Sequence, residues 1–352
     1  MTGVRTCTTV LALVALVGAG ACGSDNAASP SPSTTATSGV DRTIVRDGEP
    51  WIVFHGADLG LTLARPDGTG VHTILGGETV HPDWSPDGSE IAYVDADEGG
   101  EVWVTDPVGE ARRPLVETYP DGLAGLYWDN PAWSRDGARI AMVGYEGNPN
   151  EVAPAFSVIA VVDVATGDVT VASELSRADG QLHSFPRWSP DGDALVLNVD
   201  HFTGENFDGS TVAVMRTSGD GEWSAPAAIT EVDQLGRVDW HPTEDLIVFG
   251  IYDLGAHQDT DEPTNLFTIT PDGRRRQPVT SFGPGEVRAA QPTWTSDGRI
   301  VFAYVTGDRD EDRAVAVIDT DGSNLEILIH PEIVGPDNRP HPRLRPLPTA
   351  AG

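Results

Sequence analysis

A six-bladed β-propeller of four-stranded antiparallel blades is the fold class this all-β sequence predicts, and three observations predict it. First, the stretch His81-Pro-Asp-Trp-Ser-Pro-Asp-Gly88 returns four more times, as Asn130-Pro-Ala-Trp133, Phe185-Pro-Arg-Trp188, Val238-Asp-Trp240 and Gln291-Pro-Thr-Trp294. The tryptophans at 84, 133, 188, 240 and 294 are spaced by 49, 55, 52 and 54 residues, a self-similar period that marks a repeat architecture. Second, each tryptophan is followed by a turn signal and a short apolar run of strand length. Third, one repeat holds four such runs, a meander that cannot bury both faces alone and must stack radially on its neighbours.

Within one repeat each element has a physical reason. A first strand ends at Trp84, and Ser-Pro-Asp-Gly turns the chain because Pro presets φ, Asp caps and Gly accepts positive φ. Ile91-Ala-Tyr-Val94 is the second strand and Glu101-Val-Trp-Val104 the third, closed by Asp-Pro-Val-Gly. Arg113-Pro-Leu-Val116 is the fourth. Each tryptophan is expected to wedge between neighbouring blades. The pattern P-x-W-S-P-D-G-x-x-I-A resembles the blade motif of the TolB-like propellers, the WD40-like PD40 repeats, over about residues 44–346. That resemblance implies a fold far more than an activity, because one superfold hosts many functions.

The edges fix the blade count. Trp51-Ile-Val-Phe54 aligns with Ile91–Val94 and Leu61–Ala64 with Glu101–Val104, so the first repeat lacks its tryptophan segment. One period beyond Trp294 stands His341-Pro-Arg-Leu344, a degenerate form of the same motif. The C-terminal segment is therefore expected to close the ring by completing the first blade, as TolB-like chains close; Thr43–Arg46 is the alternative donor of that strand.

The N-terminus is read as processing and tether. Val10–Val17 is a short apolar run behind Arg5, too short to span a membrane as a mature helix, so residues 1–21 read as a secretory signal. Cys22 follows Ala19-Gly-Ala21 and resembles the acceptor of a bacterial lipobox, with Ala19 where the usual Leu stands. Residues 22–40 are rich in Ser, Thr, Pro and Ala, a solvated tether holding the propeller of 41–346 off a membrane. Residues 347–352 read as a disordered tail. The expectation is an exported protein, lipid-anchored on the extracytoplasmic face, and monomeric.

Composition narrows the chemistry. Cys7 and Cys22 are the two cysteines, so the propeller holds no disulfide. Every basic residue is Arg, which excludes Schiff-base and amine-nucleophile catalysis by Lys and matches a GC-rich, actinobacterial-type composition. A net charge of −32 speaks against nucleic acid and anionic polymers as main partners. No G-x-S-x-G elbow, H-E-x-x-H, C-x-x-C or phosphate loop occurs.

Function is expected where loops vary. The turns after each tryptophan are uniformly tight, whereas the second-to-third-strand connections at 95–100, 146–154, 200–210, 253–264 and 306–313 differ in length and character. They are acidic, through Asp95, Asp97, Glu98, Asp259, Asp261, Glu262, Asp308, Asp310, Glu311 and Asp312. Asp308-x-Asp310-x-Asp312 imitates the start of a calcium loop but has Arg313 and Asp319 where an EF-hand needs Gly and Glu. The richest return connection ends in Tyr127 and Trp128, which join the expected binding face.

The second candidate is the tunnel mouth. Residues three before each tryptophan should ring the axis: His81, Asn130, Phe185, Arg237, Gln291 and, by closure, His341. Two imidazoles and an amide around one axis could hold a divalent metal, Mn or Zn, with Ca as the acidic-rim option. The set of His81, Gln291 and His341 resembles that of the oligogalacturonate lyases, TolB-related propellers whose metal site uses His and Gln; Arg237 departs from a cation site, and His183 is a further imidazole nearby. No cofactor beyond such a metal is implied. The leading expectation is thus a non-catalytic scaffold binding an envelope or extracellular protein, or a small ligand. A metal-dependent carbohydrate-active enzyme is the alternative.

Overall fold

A computed structural model describes residues 45–46, 48–55, 60–149, 154–204, 206–232, 234–252, 264–283, 287–306, 312–335 and 340–347. Cys22, Asp259, Asp261, Asp308 and Asp310 lie outside the described residues, as do the signal, the tether and the alternative closing residues Thr43 and Ile44.

The strands form six four-stranded antiparallel units, each running from the axis outward. Blade 2 is Thr79–Trp84, Ile91–Asp95, Glu101–Thr105 and Arg113–Pro114. Blade 3 is Tyr127–Trp133, Arg139–Tyr145, Phe156–Asp163 and Val169–Ser176, and blade 4 is Gln181–Trp188, Ala194–Thr203, Asn206–Arg216 and Ala227–Val232. Blade 5 is Gln234–Trp240, Ile247–Tyr252, Thr264–Ile269 and Arg276–Pro278; blade 6 is Arg288–Trp294, Ile300–Thr306, Asp312–Ile318 and Glu326–Ile329. A single parallel pairing, Thr264 with Arg288, links the last two. Blade 1 takes Ile52–His55, Leu61–Ala64 and His72–Leu75 from the start of the chain and its inner strand, Arg343–Leu344, from the end. The ring closes through the C-terminal segment.

Alternation explains why both faces of each blade are apolar. In blade 2, Ile91 and Tyr93 pack with Trp51, Leu61 and Leu63 of blade 1, while Ala92 and Val94 pack with Tyr127, Trp128 and Met142 of blade 3. The same division repeats at every seam, giving six apolar clusters for six seams. Tryptophans wedge as expected: the indole N–H of Trp84, Trp188 and Trp294 donates to Arg343, Ala132 and Asp239 carbonyls on the preceding blade at 3.1, 3.0 and 3.3 Å.

The turns after the tryptophans use their sequence literally. Ser85, Ser134 and Ser189 donate to Asp87, Asp136 and Asp191, and these hydroxyl bonds hold the three carboxyls below the usual range. Blade 5 replaces the serine with His241, whose Nδ1 accepts the N–H groups of Thr243 and Glu244 at 3.2 and 2.9 Å. One connection departs from the sequence reading. Residues 200–210, expected as a loop, largely continue the blade 4 hairpin, with Asp200 opposite Ser210 and Phe202 opposite Phe207. The two phenyl rings meet edge-on at 5.8 Å, and His201 bonds Thr211 across the ribbon at 2.7 Å, so cross-strand pairs sustain it.

Candidate functional site

The site begins with a repeated backbone irregularity. Each inner strand from blade 2 to blade 6 shifts register in the segment just before its tryptophan. In blades 2, 3, 4 and 6 a proline sits two residues before the tryptophan and cannot donate to the ladder. The residue ahead of it takes left-handed backbone: His81 at φ 53°, Asn130 at 52°, Phe185 at 54°, Gln291 at 55°, and His341 of the closing segment at 44°. Such values are uncommon outside glycine and turn these side chains the same way. Blade 5 has Val238 in place of proline, and its Arg237 is not among the left-handed residues.

These positions meet at the axis as the spacing predicts. The His81 and His341 rings lie 4.4 Å apart at 55°. Gln291 Oε1 accepts the His341 N–H at 3.0 Å, and its amide nitrogen donates to His341 Nε2 at 3.1 Å. That nitrogen is therefore the acceptor of a neutral ring with its proton on Nδ1. His81 Nδ1 bonds the carboxylate of Asp129, which also accepts the Asn130 N–H at 2.7 Å. Burial lowers the His81 pKa while Asp129 pulls it back up; burial raises Asp129, but His81 and Arg237 bring it below the usual range. The Arg237 guanidinium lies over the Phe185 ring at 4.5 Å.

Two residues further along each inner strand, four of the six positions are charged, Arg343, Asp83, Arg187 and Asp239, with Ala132 and Thr293 in blades 3 and 6. Arg343 Nε approaches Asp83 at 3.2 Å, and its Nη1 approaches Asp239 at 3.4 Å, joining blade 1 to blades 2 and 5. Both carboxylates also accept backbone N–H groups of a neighbouring blade, from Trp133 and Trp294, each at 2.8 Å. The fourth member is Arg187. Beneath them Arg135 of blade 3 donates to the Trp240 carbonyl of blade 5 at 2.9 Å, bridging past blade 4. Asp83 retains 16% side-chain exposure and His81 14%, so neither side chain is sealed from solvent. The arrangement is a ring of polar side chains braced by ion pairs and hydrogen bonds between blades.

The metal expectation meets this geometry directly. Gln291 and His341 bond to one another through the amide and Nε2, while His81 gives Nδ1 to Asp129, the bond that orients a ligating imidazole and leaves its Nε2 for a metal. Among the described residues no group of three His, Cys, Asp or Glu is spaced to hold an ion. The amide of Gln291 is outside those four ligand types, so the set of His81, Gln291 and His341 stays an expectation. His183, the further imidazole, is fully buried between Ser157 at 3.2 Å and Ser173 at 2.9 Å, and burial lowers its pKa to about 4.

The expected binding face is partly core. Trp128 is 1% exposed and stacks on Tyr119 at 5.0 Å, and Tyr127 is buried against Gly100, where a Cβ would strike its ring. Both are apolar residues at a strand start, placed between blades by the alternation that fills every seam. Asp95 is buried and takes the Arg112 guanidinium at 2.8 Å. Asp97 is exposed and accepts the Glu78 N–H at 3.0 Å. Asp129 and the Asp83–Arg343–Asp239 set were missed, because each partner comes from another blade.

No family model matches the chain. An uncharacterized protein of Agrobacterium fabrum is 26% identical over 232 residues, 63% of this chain and 67% of its own length. Among solved structures, puromycin hydrolase aligns over 80% of this chain with a TM-score of 0.52 at 16% identity, and the tricorn protease over 85% with 0.52 at 13%. The chain is a β-propeller. It spans 45% of the length of puromycin hydrolase and 31% of the tricorn protease, and at these identities the likeness is one of fold.

Proposed function

We propose that the protein is a non-catalytic binding propeller that takes a small polar solute into the axial ring, at the cell envelope. The carrying observation is a hydrogen-bond deficit on one arc. Asn130 is 1% exposed, and its Oδ1 has no hydrogen-bond partner among the described residues. Ser184 Oγ and Asn198 Oδ1, facing each other across blade 4, are in the same condition. A buried polar atom without a partner costs about 1–3 kcal/mol, so the Asn130 oxygen points to a group that completes it. Asn130 stands in the same left-handed conformation and repeat position as His81 and His341, whose rings meet at the axis.

Elsewhere the unpartnered buried groups include the indole N–H groups of Trp51, Trp128, Trp133 and Trp240, which are surrounded by apolar seams. Thr105 Oγ1 and Thr264 Oγ1, on third strands, are short polar groups in the same condition, so it is the place of Asn130 in the ring of His81 and His341 that singles it out. The lipobox-like Cys22 and the tether of 22–40 support an envelope location. Native mass spectrometry of the full chain extracted from envelopes should find a near-stoichiometric small-molecule adduct, lost in Asn130→Asp. Adduct-free protein that also fails to respond to a library of polar solutes would sink the reading. Retention of Cys22→Ser in the membrane fraction would remove the anchor.

A further inference from the structure

Arg187 carries an observation independent of the neutral deficit. It stands one before the tryptophan of blade 4, the position at which Asp83, Asp239 and Arg343 approach one another. It is 5% exposed. Its Nη1 donates only to carbonyls, Pro131 at 2.9 Å and Pro186 at 3.2 Å, and its Nε has no hydrogen-bond partner among the described residues. The two carboxylates of its layer are engaged by Arg343 and by backbone N–H groups. Burial and the nearby Arg343 charge lower its pKa to about 10, with Asp83 and Asp239 opposing from a distance. A buried guanidinium without a direct counter-ion is among the more costly things a fold can hold.

The carbonyl that Arg187 grips belongs to Pro131, the residue after Asn130, so the orphan donor and the orphan acceptor lie within one small region. Arg237 adds a second guanidinium on the ring above, backed by Phe185. Among the described residues no acidic group contacts Arg187 directly: Asp83 and Asp239 face Arg343, and Asp129 bonds His81 and interacts with Arg237. We infer that the solute is a small organic carboxylate bearing a neighbouring hydroxyl or ammonium group. Its carboxylate meets Arg187, and its donor meets Asn130 Oδ1. Guanidinium is suited to the first contact because its planar fork pairs with a carboxylate through charge-assisted bonds.

This rests on the axial reading, and the test separates the two. Calorimetric titration of the full chain would use lactate, malate and alanine, their primary amides, and glycerol as a neutral control. The acids should bind at least tenfold more tightly than the amides. Arg187→Gln should cut acid affinity by 10- to 100-fold and leave the amides unmoved. Asn130→Asp, which keeps the side chain's shape and adds a negative charge, should abolish acid binding and serves if Arg187→Gln fails to fold. Amides or glycerol binding as well as the acids, indifferent to Arg187→Gln, would overturn the anion assignment and leave the axial reading. No binding by any probe, in a protein whose unfolding midpoint is also unmoved by them, would overturn both.

Discussion

Two arcs of the same axis treat their polar groups in opposite ways. Across blades 6, 1 and 2, Gln291, His341, His81, Arg343 and Asp83 bond to one another or to a neighbouring blade's Asp129 and Asp239. Across blades 3, 4 and 5, Asn130, Ser184, Asn198 and Arg187 each keep one buried atom without a partner among the described residues. The first arc holds the junction of the chain's two ends. Its closing strand is two residues long and offers little apolar surface, so charge and hydrogen bonds must hold it. The second arc is continuous chain, sealed by apolar seams that include Trp188, Leu195, Leu197 and Trp240. It can leave polar groups unfilled because packing already holds it.

The largest expected effect breaks the first arc. Arg343→Ala leaves buried Asp239 and half-buried Asp83 without their shared cation and should cost about 3–5 kcal/mol. Denaturant unfolding would read it, and Arg343→Met combined with Asp83→Asn and Asp239→Asn should recover most of the loss. A change within about 0.5 kcal/mol, the level of an unremarkable surface substitution, would show the seam is held by something else.

Next comes pH dependence in the seam between blades 3 and 4. His183 has a folded pKa near 4 against an ordinary value of 6.5, so the unfolded chain takes up its proton first as the solution is acidified. Stability is whole above about pH 6.5 and falls toward pH 4, by up to about 3 kcal/mol from this group. Half-buried His81 and buried His241, also lowered, add in the same direction. His183→Gln should flatten the difference between urea unfolding curves at pH 7 and pH 4.5. An unchanged slope would mean His183 is not the group that titrates.

Two smaller tests sharpen the contrast. Ser157 bonds both the His183 N–H, at 2.7 Å, and its ring, so Ser157→Ala should cost about 1–3 kcal/mol. Ser184→Ala deletes a hydroxyl with no partner and should be neutral or stabilising by up to about 1 kcal/mol. Equal losses would erase the distinction between satisfied and unsatisfied serines. Finally, with Gln291 bonded to His341, Mn²⁺, Zn²⁺ or EDTA should leave the unfolding midpoint unmoved; one equivalent of metal lost in His81→Ala and in His341→Ala would favour the His/Gln metal site instead.

What the sequence disclosed follows from where information is local. The period of the tryptophans, the Ser-Pro-Asp-Gly turns and His341-Pro-Arg-Leu344 are read within a few residues, and they delivered the blades, the closure and the axial ring. His81 with Asp129, and Arg343 with Asp83 and Asp239, join residues from different repeats, and no spacing rule selects one acid among so many. Tyr127 and Trp128 misled because a loop-end aromatic and a seam aromatic look alike in sequence. The 200–210 hairpin was hidden by its polar residues, whose partners sit across the ribbon.

The most direct measurement is a crystal structure at a resolution that shows ordered solutes, grown with lactate or malate. The account predicts density for one small acid spanning Arg187 Nε and Asn130 Oδ1, with Gln291 still bonded to His341. Arg187 and Asn130 bonded to protein groups, in a ring closed to solute, would contradict it.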